Sequence, residues 1–261
     1  MSILIPPFIG APAPAGPRLL AVDEVWLREP RLLRPGKMPL GLVKVDFSNQ
    51  LAAGCKSFWL FRGNGMDNPT RSKDLLNHKL GITRSNIYIF FNPEYVYTYG
   101  NQYFTCDWGL GAVAAPYTIL VGFDWLSGGI SWSWMTESGW YGIYSSGADN
   151  QFNVTNAADF AVSATIPAGS RFSNVDFMAI TIRGNNNCAA ASNGGPIFND
   201  TSMTAPAFTP TGFRGAWSCN VDSVSLKGEV NIACFAYWNR AFSDAELQAI
   251  SRDPYQFLIP A

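Results

Sequence analysis

A hydrolytic triad needs a histidine beside its nucleophile. The chain holds one histidine, His78, set near Arg71, Lys73 and Asp74 in the most polar stretch, where it reads as a solvated turn residue. There is no His-Glu-x-x-His phrase and no cysteine–histidine cluster, so a zinc centre has no ligand set. Glycoside hydrolysis by paired carboxylates needs two acids at alternate positions of one strand, on one side of a cleft. Here the acids are scattered, and Glu137 has no carboxylate two or four residues on. Gly109, Gly111 and Ala114 match the spacing of a dinucleotide-binding turn, but Pro116 denies the helix whose N-terminus would hold a pyrophosphate. No enzymatic activity is expected, and no residue is assigned a catalytic role.

Aromatic residues are the other source of chemistry. Trp125, Trp132, Trp134, Trp140, Tyr141 and Tyr144 crowd into twenty positions. Sugars stack their apolar faces on such rings beside hydrogen-bonding side chains, so Trp125, Trp140, Tyr141 and Tyr144 are candidate glycan contacts. Trp132 and Trp134, two apart on an expected strand, occupy the positions of filler between two sheets. Core packing is the preferred reading of the set, with the sugar platform as its rival.

The elements that would carry these residues are strands. Hydrophobic residues make up 48% of the 261, aromatics 14% and charged residues 14%, with 24 Gly and 17 Pro. That profile means many short strands joined by turns, with little charge to solvate the surface, so part of the surface is expected to meet a partner. The net charge is −1 and no basic stripe occurs, which argues against nucleic acid or a membrane as partner. Five cysteines (Cys55, Cys106, Cys188, Cys219, Cys234), odd in number and without a Cys-x-x-Cys pair, read as buried reduced thiols of a protein made in a cytoplasm. The start lacks a basic region and Pro6 and Pro7 break its apolar run, so neither a signal peptide nor a membrane span is expected.

Residues 1–41 form a block of their own, with eight of the prolines, and read as an extended arm. Its apolar members Ile3, Leu4, Ile5, Phe8, Ile9, Leu19, Leu20 and Trp26 are the expected docking contacts with a neighbouring subunit or shell. Residues 42–261 read as one all-β domain. Alternation predicts strands at 43–47, 58–61, 86–91, 95–99, 117–126, 130–135, 140–145, 157–166 and 175–183, with a hairpin turn at 92–94 and another at 193–195. A short helix is expected over 72–78.

The C-terminal stretch is the most legible. Residues 230–237 are almost unbroken apolar and aromatic, which suits a strand buried on both faces. Ser243 with Glu246 spells a capping box, Phe242 and Leu247 are placed as its hydrophobic staple, and Pro254 stops the helix. The run AYWNRAFSDAELQAI (236–250) resembles the closing strand and helix of laminin G-like domains, within the concanavalin A-like lectin/glucanase superfamily. VKVDFSNQLAAGCKSFWLFRG (43–63) resembles the opening of such domains in tailed-phage structural proteins, and RDPYQFLIP (252–260) is similar to the tail of those proteins.

The resemblance implies a two-sheet antiparallel jelly-roll sandwich with one short C-terminal helix behind an extended N-terminal arm. It implies a non-enzymatic virion protein, made in the host cytoplasm and displayed on the particle as a head decoration or head-anchored fibre. The alternative is a tail-associated or capsid carbohydrate-binding, lectin-like adhesion module. Expected partners are other virion proteins of capsid or tail, further copies in a homo-oligomer, and a cell-surface glycan. No cofactor is expected. Some relatives hold Ca²⁺ at the sandwich rim, for which Asp107, Asp124, Asp149 and Asp222 would be the candidates, although no two share a loop at ligand spacing.

Overall fold

The computed structural model describes residues 38–39, 43–61, 73–76, 83–84, 89–92, 95–98, 104–107, 110–127, 129–136, 139–145, 151–156, 162–165, 176–202, 205, 207, 209, 212–217 and 229–260. Their strands are β1 (Val43–Val45), β2 (Cys55–Leu60), β3 (Lys73–Asp74), β4 (Thr83–Arg84), β5 (Ile89–Asn92), β6 (Tyr95–Thr98), β7 (Phe104–Asp107), β8 (Tyr117–Ser127) and β9 (Gly129–Thr136). They continue with β10 (Gly139–Ser145), β11 (Gln151–Asn156), β12 (Val162–Thr165), β13 (Asp176–Gly184), β14 (Asn187–Ser192), β15 (Phe198–Asp200), β16 (Gly212–Trp217), β17 (Glu229–Trp238) and β18 (Leu258–Pro260). One α-helix, α1 (Asp244–Arg252), lies among them.

The strands form two large antiparallel sheets, the expected all-β architecture. One has the order β12-β11-β10-β9-β16-β7-β4. The other runs β15-β14-β13-β8-β17-β2-β3, with β6 also on β17 and β5 on β6. β17 is central: β8 pairs along its length, while its other side takes β6 at the start and β2 at the end. Residues 233–238 are buried without exception, so both faces of that stretch are covered, as its apolar run predicts.

Side-chain size differs between the two faces of the nine-stranded sheet. One face carries Tyr117, Ile119, Val121, Ile180, Phe235 and Trp59, all buried. The alternate positions of β13 and β14 are small: Ala179 stands opposite Ala191, and Thr181 opposite Ala189. α1 packs over these two strands and buries Leu247, Ile250 and Ser251. Short side chains under a helix let its backbone come close without a void. The turn after β14 completes the contact. Asn193 and Gly194 have φ of 51° and 72°, Gly194 N–H donates to Ser251 Oγ at 3.0 Å, and Gln248 Nε2 donates to Gly195 O at 3.0 Å.

A clasp joins the chain's distant ends. β1 pairs with β18, Val43 opposite Pro260, and Asp46 N–H donates to Phe257 O at 2.8 Å. Asp46 Oδ1 accepts from the Ser48 N–H and hydroxyl, and Asn49 caps the 3-10 turn Gln50–Ala52 through the Leu51 N–H, so the polar phrase there is turn chemistry. Trp238 Nε1 donates to Leu51 O at 2.7 Å, and its ring lies 5.0 Å from Phe242 and 5.9 Å from Phe257. Arg240 donates to Ala53 O at 2.6 Å, Gln50 O at 3.2 Å and Glu246 Oε1 at 2.8 Å, with its guanidinium 4.2 Å above the Phe242 ring. The corner before α1 is pinned from below, because Phe242 N–H donates to the hydroxyls of Thr118 and Thr181, each at 3.1 Å.

The capping box forms as expected, Ser243 Oγ accepting from Glu246 N–H at 3.3 Å and Glu246 Oε2 from Ser243 N–H at 2.8 Å. Burial raises the Glu246 pKa, but hydrogen bonds from Arg240 and Ser243 and the Arg240 charge outweigh it and hold the carboxyl below its ordinary 4.5. A lowered carboxylate contributes stability that is present above its unfolded pKa and fades as pH falls through the folded one. Glu246→Gln should therefore be less stable than the parent at neutral pH, with the gap closing as pH falls below the ordinary 4.5 of the carboxyl. Urea unfolding across that range measures it, and a gap independent of pH would refute it.

One expectation is corrected. The helix expected over 72–78 is not formed where the chain is described: Lys73 and Asp74 pair with Leu60 and Trp59 as an edge strand, and Leu75 N–H donates to Phe58 O at 2.8 Å. Pairing with β2 prevails over local preference there. Of the strand expected over 157–166, residues 162–165 form β12 and the others lie outside the described residues. The hairpin at 92–94 is present in the pairing of Asn92 with Tyr95. The docking residues from Ile3 to Trp26 lie outside the described residues; at the end of that block, Met38 is buried in the core.

Candidate functional site

The register of the seven-stranded sheet sorts its residues into rows. Partners across an antiparallel ladder share a face, and successive residues alternate faces. One row reads Thr83, Thr105, Arg214, Ser133, Gly142, Thr155 across β4, β7, β16, β9, β10 and β11. The next reads Phe104, Gly215, Trp132, Ile143, Val154, Val162, with Arg84 at its edge end. On its other side the polar row is followed by Cys106, Phe213, Trp134, Tyr141 and Asn156. The row beyond that one reads Asp107, Gly212, Met135 and Trp140.

This geometry divides the candidate glycan residues. Trp125 lies on β8, opposite Val230, in the nine-stranded sheet. Trp140, Tyr141 and Tyr144 lie on β10, in the other. Tyr141 shares a row with Trp134 and Phe213. Trp140 and Tyr144 alternate in step with Gly142 along β10, Trp140 opposite Met135, and Tyr144 opposite Ile130 on β9 and Asn153 on β11. Sequence reading did not single out Arg214 or Ser133. The period-two pattern of 212–217 was a signal for a strand, but its partners β9 and β7 are distant in sequence.

Of the calcium candidates, Asp107 lies on β7 and Asp124 on β8, in different sheets, while Asp149 and Asp222 lie outside the described residues, as do His78 and Glu137. Among the described residues no three His, Cys, Asp or Glu gather as a metal site. Cys55, Cys188 and Cys234 are buried free thiols. Burial, aided by the Asp200 charge against that of Arg183, pushes Cys188 up to about 12. Burial likewise pushes Cys234 up to about 12, against the Tyr255 hydroxyl and the Gly122 backbone. Neither is a thiolate at neutral pH, so neither is a nucleophile.

Among the described residues these features define a β-sandwich domain of two antiparallel sheets with one α-helix. No family model matches the chain and no curated protein matches it. Among solved structures it is similar to domain 4 of AbnA, a GH43 extracellular arabinanase from Geobacillus stearothermophilus, in complex with arabinotriose. That likeness has a TM-score of 0.56 and 11% identity, over 76% of this chain and 98% of that one. Trypanosoma rangeli sialidase is similar at TM-score 0.51 and 11% identity over 76% of this chain, which spans 32% of the sialidase. At such identities the likeness is one of fold, and the fold occurs within glycosidase chains.

Proposed function

We propose that the chain is a non-enzymatic structural protein of a tailed-phage virion, displayed on the particle as a head decoration or head-anchored fibre and docked through residues 1–41. The observation that carries this reading is the clasp. Two phrases resemble tailed-phage structural proteins (43–63 and 252–260) and a third, 236–250, resembles laminin G-like domains, and their described residues pack into one unit through β1–β18, Trp238 and Arg240. Accidental likenesses in separate segments would have no reason to meet in space. The low charge content, 14%, agrees with a surface shared with other virion proteins or copies of itself. Particles assembled with a chain lacking residues 1–40 should lose the protein, and full occupancy by the truncated form would sink the docking role.

A second reading, a carbohydrate-binding adhesion module of tail or capsid, is favoured by the polar row of the seven-stranded sheet. Domain 4 of AbnA, alike in fold, was solved with arabinotriose bound. Both readings hold together if the sandwich attaches the particle to a cell-surface glycan.

A further inference from the structure

We propose that Asn193 and Gly194, in the turn on which α1 rests, are a modification site: Asn193 loses its side-chain amide to water when α1 lifts, and the product keeps the helix from settling back. The fold demands this dipeptide for reasons of shape. Ser192 to Gly195 form a tight turn, Gly195 N–H donating to Ser192 O at 2.8 Å, with φ of 51° and 72° at the two central residues. Positive φ at both suits Asn followed by Gly. No side chain fits at 194, where a Cβ would lie 2.7 Å from Arg252 Cβ. Asn followed by Gly is also a chemically labile pair, because nothing on glycine hinders its nitrogen from reaching the amide carbon before it.

The reaction consumes only water. Base takes the Gly194 N–H proton, the nitrogen bonds to Asn193 Cγ, and the Cγ–Nδ2 bond breaks with Nδ2 leaving as ammonia. Water then opens the imide ring at either carbonyl, giving aspartate or isoaspartate at 193. With α1 docked, both reacting groups are engaged elsewhere. Gly194 N–H donates to Ser251 Oγ of α1 at 3.0 Å. The Asn193 amide is clamped to β13, Oδ1 accepting from Phe177 N–H at 2.9 Å and Nδ2 donating to Asp176 Oδ1 at 2.8 Å. Asn193 and Ser251 are both buried, so base and water reach the turn only when the helix moves away. Neither product restores these contacts. Each exchanges the Nδ2 donor for a carboxylate oxygen facing the Asp176 carboxylate, and like charges at that spacing repel. Isoaspartate also lengthens the backbone by a methylene, which carries Gly194 and Gly195 out of register with Ser251 and Gln248.

Peptide mapping by mass spectrometry tests this on the full chain held in mildly alkaline buffer, natively and in concentrated urea, with isoaspartate methylation as a second readout. In urea Asn193 should react at a rate comparable to Asn64, which heads the chain's other Asn-Gly pair. Natively it should be at least about ten-fold slower. Ser251→Ala removes the acceptor but keeps the apolar contacts of α1, and should quicken the native reaction about five-fold, the worth of one hydrogen bond. Leu247→Ala, which loosens the helix itself, should quicken it more. Neither variant should alter the rate in urea. Dilute urea should raise the native rate less steeply than it raises the unfolded fraction, since lifting α1 exposes less surface than unfolding the domain. The reacted chain, and Asn193→Asp, should melt below the parent. No reaction at Asn193 in urea overturns the site, and equal rates natively and in urea overturn its protection. A native rate that tracks global unfolding, or that ignores Ser251→Ala, overturns the part given to α1. A reacted chain as stable as the parent overturns the lock.

Discussion

Trp238→Ala is expected to destabilise the protein by about 3–5 kcal/mol, the range for emptying a large aromatic site in a core. Trp238 is 0% exposed, and its ring touches Phe242 from the helix corner and Phe257 from the C-terminal turn. Phe58 of β2 meets Phe257 edge-on at 5.1 Å, so one cavity would loosen β2, the corner and the C-terminal turn together. Trp238→Phe separates packing from hydrogen bonding. It keeps an aromatic ring but leaves the buried Leu51 carbonyl without its indole donor, and should cost about 1–3 kcal/mol. Urea unfolding of both variants measures this. A loss below about 1 kcal/mol for the alanine variant would mean that the clasp does not unfold with the rest of the domain.

Gly122→Ala is the second large effect. A Cβ there would lie 2.6 Å from Phe177 Cε1, 2.8 Å from Cδ1 and 2.9 Å from Cys234 Sγ. Alanine ordinarily improves a strand by about 0.5–1 kcal/mol over glycine, through reduced chain entropy. Here overpacking of about 1–3 kcal/mol opposes that gain, because both neighbours are held. The Phe177 ring is braced edge-on by Tyr255 at 5.7 Å, and Cys234 is fully buried in the central strand. The variant should therefore melt below the parent, and Gly122→Ala combined with Phe177→Leu should recover part of the loss. An alanine variant as stable as the parent would show that β8 and β13 can shift apart at no expense. Additive losses in the pair would show that the ring is not what the methyl meets.

Sequence reading succeeded where structure is decided within a few residues. The capping box at Ser243 and Glu246, the helix stop before Pro254 and the turn at Asn193 and Gly194 depend on side chains bonding to their own neighbouring backbone, or on φ values that few residues accept. The run that became β17 was legible because a strand covered on both faces has no polar side to blur its pattern.

It failed where the deciding partner is distant. β14 (NCAAAS) has few β-formers and is missing from the strands expected; its alanines make sense only once α1, more than fifty residues later, lies over them. Lys73 and Asp74 were locally plausible as helix, until β2 offered them a ladder. Composition and periodicity thus determined by themselves that the chain is an antiparallel sandwich closed by a capped helix. Which residues each aromatic shares a row with was decided by strand pairing alone. A strand's own period separates Trp140 from Tyr141, but only the partners across the ladder set the row that each joins, and those come from β9, β11 and β16.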